Sequence, residues 1–323
     1  MTRKRSLALP LDQNDATVQV GDRAVRLTNL QKIFWPELGF SKGDLLQYYA
    51  DVSDVLLPHV EDRAMVMKRY PHGISGEFFF MKRTPQPQPE WLETCSITHG
   101  SGNVIAFPMI NDLAALLWVI NLGCIDLNQW YARCDDVNRP DYLHFDLDPG
   151  SAPFSAVRDV ALIVRDGLQG VGMPAYAKTS GSKGIHVYVP IVRGPTQKAV
   201  WTFAKAFAQT VASNYPALAT AEYRIEKRPA GRVLVDYNQN AWGRTLASVY
   251  SVRPTALATV SAPVRWDEIE SGCRVEDFRV DNMRARIAKL GDLWEPLIAK
   301  KGRFDLAKLV TEPKPKVSRR PQA

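Results

Sequence analysis

"YLHFDLDPG" runs from Tyr142 to Gly150. It reads as a strand, and along a strand alternate side chains share a face. Asp146 and Asp148 therefore lie side by side, with Phe145 and Leu147 turned the other way. Two carboxylates that close repel, and a pKa climbs unless something neutralises the pair. Oxygen donors in pairs suit Mg²⁺ or Mn²⁺. Two acids on an exposed strand edge fit the same residues.

A third acid bears on the choice. In "GRVLVDYNQN" (Gly231–Asn240), Asp236 ends a β-branched run. A lone carboxylate buried there is costly unless it is paired or metal-bound. Three acids on neighbouring strands are what two-metal nucleotidyl transfer requires. An acid capping the next turn is the plainer alternative. "KTSGSKGIHVYVP" (Lys178–Pro190) is a glycine-rich turn between two strands. Gly181 and Gly184 would let the backbone approach a phosphate, with Ser180 and Lys183 as donors and His186 beside them. It is not a Walker loop: no Ser or Thr follows the lysine, and a strand follows rather than a helix. A hairpin turn with a packed imidazole fits the same stretch. "YNQNAWGRTLASVYSVRP" adds Gln239, Arg244 and Arg253, and a guanidinium can grip a triphosphate bidentately or form a surface salt bridge.

The whole chain sets the frame. Its 323 residues suffice for one large domain or two small ones, and 46% hydrophobic with 23% charged residues is ordinary for a globular protein. The longest apolar run, "LAALLWVINLGCI" (113–125), is too short to span a bilayer and reads as a buried helix. The basic N-terminus lacks the apolar length of a secretory signal, so the expected location is the cytoplasm, at the nucleoid, with no membrane partner. Net charge +7 permits a polyanionic partner without proving one. The four cysteines are scattered without C-x-x-C spacing, so we expect reduced thiols and no zinc site. Residues 1–20 read as a flexible leader and 306–323 as a basic disordered tail, flanking one domain at 21–305. Helices are expected at 41–60, 111–123, 154–170 and 197–213. Strands are expected around "AMVMKRYP" and "EFFFMKR" and at 174–179, 185–190, 232–237 and 246–252. Without a regular βαβ rhythm, the class is α+β.

Taken in order, "HFDLDP", "TSGSKGIHVYVP" and "VLVDYNQN…YSVRP" resemble the polymerase domain of bacterial ligase D, in the archaeo-eukaryotic primase superfamily. The resemblance covers about 20–300, including "LTNLQKIFWPELGFSKGDLLQYYADVSDVLLPH" and "RYPHGISGEFFFMKR". It implies a primase-polymerase core, a mixed or antiparallel sheet flanked by helices, with an N-terminal α/β subdomain. It implies that Asp146, Asp148 and Asp236 bind two Mn²⁺ or Mg²⁺ ions, and that Ser180, Lys183, His186, Gln239 and Arg253 hold the nucleotide. It matches Lys32 and Lys42 to a pocket for a DNA 5′-phosphate. Phe79 and Phe80 match aromatics that stack on a base or template, with Lys82 and Arg83 beside them; core packing is the ordinary reading of those rings.

The family usually has a histidine after the second helix, near a tryptophan. This chain reads "DLNQWYAR", with Asn128 there, which likens it to free-standing relatives that act in gap repair. No ligase K-x-D-G motif is present, so a separate ligase is expected. The expected activity is template-dependent nucleotidyl transfer to short gaps or broken ends bearing a 5′-phosphate, from NTP or dNTP with ribonucleotides preferred, by a monomer. A primer-independent primase and a non-catalytic DNA-end-binding module are the alternatives.

Overall fold

The computed structural model describes residues 7–310. The chain opens with a hairpin, β1 (Ala16–Val20) and β2 (Arg23–Leu27), then a tight pair, β3 (Ile33–Trp35) and β4 (Phe40–Ser41), leading into α1 (Lys42–Val60). β5 (Met65–Arg69), β6 (Phe79–Met81), the hairpin β7 (Thr94–Thr98) and β8 (Val104–Pro108), α2 (Leu113–Asn121) and β9 (Cys124–Trp130) follow. The second half runs β10 (Tyr142–Asp148), α3 (Phe154–Gly170), β11 (Tyr176–Thr179), β12 (Ile185–Pro190), α4 (Gln197–Asn214), β13 (Ala219–Thr220) and β14 (Val233–Asp236). β15 (Thr245–Ala247), β16 (Pro263–Val264), α5 (Trp266–Glu270), α6 (Val280–Leu290) and α7 (Glu295–Ile298) complete it.

Two sheets organise these elements. A six-stranded sheet has the order β13-β14-β10-β12-β11-β16, antiparallel except for β13 with β14. A four-stranded antiparallel sheet has the order β15-β9-β5-β6. β10 lies inside the larger sheet, and its alternation separates two environments. Leu143, Phe145 and Leu147 are fully buried on the side covered by α3 and α4, where Phe145 meets Phe207 of α4 at 4.9 Å between ring centroids. Tyr142, His144, Asp146 and Asp148 face the other way, toward a cleft between the sheets. Gln129 of β9 donates to the Tyr142 hydroxyl across it (2.9 Å), and Lys178 of β11 donates to the Ala247 carbonyl of β15 (3.0 Å). The class is α+β, as expected.

The four expected helices, α1 to α4, stand within two residues of expectation, for local reasons; α5, α6 and α7 were not expected. Ser41 caps α1 by accepting from the Asp44 amide (3.1 Å), while Asp44 accepts from the Ser41 amide (2.8 Å), a reciprocal capping box. Asp112 caps α2, and Gly123 follows its end at φ +79°. The expected strand 246–252 stops at Ala247. Tyr250 adopts φ +62°, outside any strand, held by its amide on Ser261 and its hydroxyl on Asp292 (both 2.8 Å). Nor is the segment before residue 21 a loose leader where it is described. β1 pairs residue for residue with β2, and Leu9 and Val18 are buried. Residues 1–6 lie outside the described residues. Leu306, which the expected tail includes, is buried behind the Phe304 amide bonded to Pro190, and 311–323 lie outside the described residues. The cysteines also depart from expectation: Cys95 and Cys134, 39 residues apart, form a disulfide because β7 packs beside the end of β9.

One buried ion pair ties the end of α1 to the start of β10. Arg63 is 1% exposed and donates from Nη2 to both oxygens of Asp141, at 2.8 Å each, while its Nη1 and Nε donate to the carbonyls of Tyr131 and His59. Burial raises the Asp141 carboxyl, but Arg63 and Arg133 more than offset it, so the net shift is downward. Arg63→Met should cost about 3–5 kcal/mol in denaturant unfolding at neutral pH, because it strands a buried charge. A depressed carboxylate stabilises the fold above its unfolded pKa, and that stability is lost as pH falls through the folded value. The wild-type advantage should therefore shrink on acidification below about pH 4.

Candidate active site

Register places the acids. On β10, Asp146 stands opposite Asp236 of β14 on one side and opposite His186 of β12 on the other. The His186 Nε2 lies 3.3 Å from Asp146 Oδ1. Asp236 is buried, with Oδ1 accepting the Asn238 amide (2.7 Å) and Oδ2 accepting from Gln239 Nε2 (2.9 Å). Burial first, and the field of Asp146 second, push the Asp236 carboxyl above its ordinary range. Burial would also raise Asp146, but the His186 contact and Lys178 outweigh it and hold Asp146 low. Asp148 is half exposed; one oxygen accepts the Gly150 amide (3.0 Å), and Arg228 stands 3.8 Å from the other.

Among the described residues no three His, Cys, Asp or Glu side chains are gathered closely enough to hold a metal ion. The chemistry of the three acids still fits a hard divalent cation. All their donors are oxygens, Asp146 and Asp236 share a rung of the sheet, and Asp146 destabilises the ionised form of Asp236.

The glycine turn closes against this group for a reason other than the expected one. A Cβ on Gly181 would meet Arg253 Cγ at 2.5 Å and the Ser261 nitrogen at 2.7 Å, and one on Gly184 would meet the Leu147 carbonyl oxygen at 2.3 Å. Both positions exclude a side chain because the protein itself fills that space. Ser180 Oγ accepts two amides of its own loop, from Ser182 (3.1 Å) and Gly184 (2.9 Å), and Lys183 is exposed. Arg253 reaches the cleft; its Nη1 lies 3.5 Å from Oδ1 of Asp126 on β9, and its Nε is buried without a hydrogen-bond partner. Arg244 lies exposed at the start of β15, and no hydrogen bond or ion pair ties it to the acids among the described residues.

Several residues of the cleft escaped the sequence reading. Asp126 is buried and pushed upward by burial, with Arg253, Lys68 and Lys178 pulling the other way. Lys178 is fully buried in contact with His186. His144, buried with no hydrogen-bond partner for either ring nitrogen among the described residues, is driven down to about 3 by burial and by His186. Lys68 sits 4.0 Å from the Phe78 ring centre. Asn128, which the sequence reading did single out, is buried and donates to the Asp126 carbonyl (3.1 Å).

Lys32 and Lys42 come together, but not as a solvated clamp at a free helix end. The amides of Ser41, Lys42, Gly43 and Asp44 already bond Asp44 Oδ2, the Lys32 and Leu30 carbonyls and Ser41 Oγ, so the first turn of α1 has no donor left over. Lys42 is 5% exposed and donates to the Thr28 carbonyl (2.5 Å). Burial lowers it to about 8, against the pull of Asp15, with Lys32 and Arg69 adding to the fall. Lys32 donates to the Pro71 carbonyl (2.8 Å) and touches His72 Nδ1 (3.2 Å). The aromatics resolve differently from the core reading: Phe78, Phe79 and Phe80 are 50%, 43% and 59% exposed, beside exposed Lys82 and Arg83. These three rings therefore lie at the surface and not in the core.

The chain matches the family model "LigD, primase-polymerase domain" over residues 41–294. It is 35% identical over 278 residues to the multifunctional non-homologous end joining protein LigD of Mycolicibacterium smegmatis, covering 85% of this chain and 36% of that protein. It is 33% identical over 269 residues to the bifunctional non-homologous end joining protein LigD of Bacillus subtilis, covering 83% and 43%. The chain thus spans well under half the length of these relatives. The polymerase domain from Mycobacterium tuberculosis ligase D, solved in complex with DNA, superposes with a TM-score of 0.80 at 32% identity, covering 85% of this chain and 98% of that one. By profile, by identity and by fold, the chain belongs to the LigD primase-polymerase domain family.

Proposed function

We propose that this protein is a template-dependent nucleotidyltransferase that fills short gaps or extends broken DNA ends during repair, including non-homologous end joining. The observation that carries the reading is the rung on which Asp146 stands between Asp236 and His186, facing a cleft whose far wall supplies Lys68, Arg253 and Asp126. A primer 3′-hydroxyl attacks the α-phosphorus of the bound nucleotide; the new P–O bond forms as the bond to the β-phosphate oxygen breaks, and pyrophosphate leaves. Asp146, Asp148 and Asp236 would hold two divalent cations, Mn²⁺ or Mg²⁺, which when bound supply charge neutralisation at the phosphates and a more acidic hydroxyl. The chain's own side chains bind and orient. Ser180, Lys183, His186, Gln239 and Arg253 line the nucleotide side, and Phe79, Phe80, Lys82 and Arg83 present an aromatic and basic face to template DNA. Lys32 and Lys42, with Arg69 in their field, form a cationic recess for a 5′-phosphate. A preference for ribonucleotides, a separate ligase, a monomeric state and a cytoplasmic, nucleoid-associated location belong to the same reading.

Mn²⁺ binding tests the acids without asking for catalysis. Wild-type protein should bind Mn²⁺ by electron paramagnetic resonance titration, and Asp146→Asn and Asp148→Ala should bind it at least tenfold more weakly. Asp148→Ala should keep the wild-type Tm in EDTA, because its side chain is half exposed and anchors nothing else in the core. Primer extension by that variant should vanish. Undiminished Mn²⁺ binding in both variants would remove the metal assignment.

Arg253 has two partners to serve. Arg253→Ala should raise the nucleotide KM by about ten- to a hundredfold, the loss of a charge-assisted contact. It should also lower the Tm, since Asp126 is left buried without its nearest cation. Adding Asp126→Asn should restore the Tm and leave the KM high. If the KM recovers as well, the arginine is structural only.

Substrate choice comes from a gapped duplex offered with ATP or dATP, and with a 5′-phosphate or a 5′-hydroxyl at the gap. The wild type should incorporate ATP more efficiently and bind the phosphorylated gap about tenfold tighter or more, on the scale of one or two charge-assisted contacts. Lys32→Ala should abolish the phosphate preference while extending a simple primer–template normally. Equal affinity of the wild type for the two gaps would leave Lys32 with no role in end recognition.

A further inference from the structure

Lys178 stands outside every role assigned above. It lies on β11, opposite His186 of β12, and is fully buried in the wall of the cleft. Its Nζ has three close neighbours: His186 Nδ1 at 2.8 Å, the Ala247 carbonyl at 3.0 Å and Ser261 Oγ at 2.5 Å. The hydrogen count of this group can be closed. Ser261 has one hydroxyl hydrogen, and it goes to the Thr179 carbonyl (3.0 Å), so toward Lys178 the oxygen accepts. The Ala247 carbonyl can only accept. On the far side of the ring, Nε2 faces the Asp146 carboxylate at 3.3 Å, and an unprotonated nitrogen there would set lone pair against negative charge. Nε2 therefore carries a hydrogen. In a neutral imidazole, Nδ1 is then an acceptor. Read as an ammonium, Lys178 has three hydrogens for the three acceptors that converge on it; burial works against that charge, and Asp146 and Asp126 support it.

We propose that Lys178 is a positioning residue that acts through His186: it fixes the ring's tautomer and orientation so that Nε2–H is presented to Asp146. The arrangement has a consequence for the acids. Asp146 receives an N–H donor from a ring held in one orientation. It also prevents the ring from turning over, because a flip would set C–H groups where Lys178 and Asp146 need nitrogens. The other polar groups facing the ring are those of this same face: His144 and Tyr188, which stack at 5.0 Å, and Arg253 beyond Lys178. None of them offers Nδ1 a second donor among the described residues. This role rests on the nucleotidyltransferase reading, but its signature does not.

The direct test is nitrogen NMR on protein labelled at its five histidines, with His186 identified by its loss in His186→Ala. In the wild type at neutral pH, His186 should show one protonated nitrogen, Nε2, and one hydrogen-bonded acceptor nitrogen, Nδ1. In Lys178→Met, Nδ1 should shift toward the value of an acceptor without a donor. A wild-type imidazolium pattern, or an Nδ1–H tautomer, would overturn the proposal with no variant needed. In primer extension, Lys178→Met should lower kcat about tenfold, the scale of one lost buried hydrogen bond. The double variant Lys178→Met/His186→Ala should be no slower than His186→Ala alone, since a residue acting only through the ring adds nothing once the ring is gone. Additive losses in the cycle would make Lys178 a structural residue. If the wild type extends no primer, the polymerase reading fails, and the nitrogen shifts still decide the role of Lys178.

Discussion

The constraint on which the rest of this structure depends is the crowding of charge around one rung of the larger sheet. Antiparallel pairing sets Asp146 between Asp236 and His186, and no shift of a single residue could keep that arrangement, because a slip by one would turn every carboxylate into the helix-covered core. Negative charge so placed has to be balanced from close by. Lys178 lies behind His186, Arg253 beside Asp126, and Lys68 beyond Asp126. Positive and negative groups alternate across the cleft from one sheet to the other. The acids are balanced by His186 on one side and by Arg228 near Asp148 on the other, and Asp236 still remains above its ordinary range. The protein carries that residual cost inside a fold whose remaining core is apolar and well covered, a distribution expected where binding and not stability sets the residue choice.

How far this was legible in the sequence follows from the range of each interaction. Alternation within "YLHFDLD" was enough to put Asp146 and Asp148 on one face, since a strand's period is local. The first four helices were legible for the same reason, from Ser41, Asp112 and the apolar spacing that follows them, whereas α6, longer than α2, was not. The hairpin at 16–27 was equally local; "ATVQVGDRAVRL" alternates around Gly21–Asp22, and that signal could have displaced the reading of a leader. Tyr250 was not legible. A tyrosine in a left-handed conformation is fixed by partners at Ser261 and Asp292, contacts that no local pattern announces. The same holds for Cys95 with Cys134, and for Asp126, whose significance lies in cations contributed by three other strands and loops.

The glycine turn shows that a glycine can be required by the protein's own packing. Gly181 and Gly184 do sit beside the acids. Their lack of a side chain is demanded by Arg253, Ser261 and Leu147, which occupy the space at 2.3–2.7 Å. The turn is thereby a packing joint: it brings Arg253 to the cleft and presses β12 onto β10, and the side chains of Ser180, Lys183 and His186 gain their positions from it. Sequence motifs rich in glycine report close approach; they do not report what approaches.

Three lysines make the same point about charge. Lys42, Lys178 and Lys183 look alike in composition and neighbourhood, each near a glycine and a Ser. Lys183 is exposed at the tip of a turn. Lys42 begins a helix whose first amides are all taken, so its stem lies along the core and its ammonium meets a carbonyl. Lys178 points into the cleft because β11 pairs with β12 in a register that opposes it to His186. Burial lowers the two inner lysines. A net charge of +7 therefore says little about where this protein meets a polyanion. Cations withdrawn from solvent, such as Lys42 and Lys178, are each held by a small number of fixed acceptors, where a nearby charge alters the balance more than it could on an open surface.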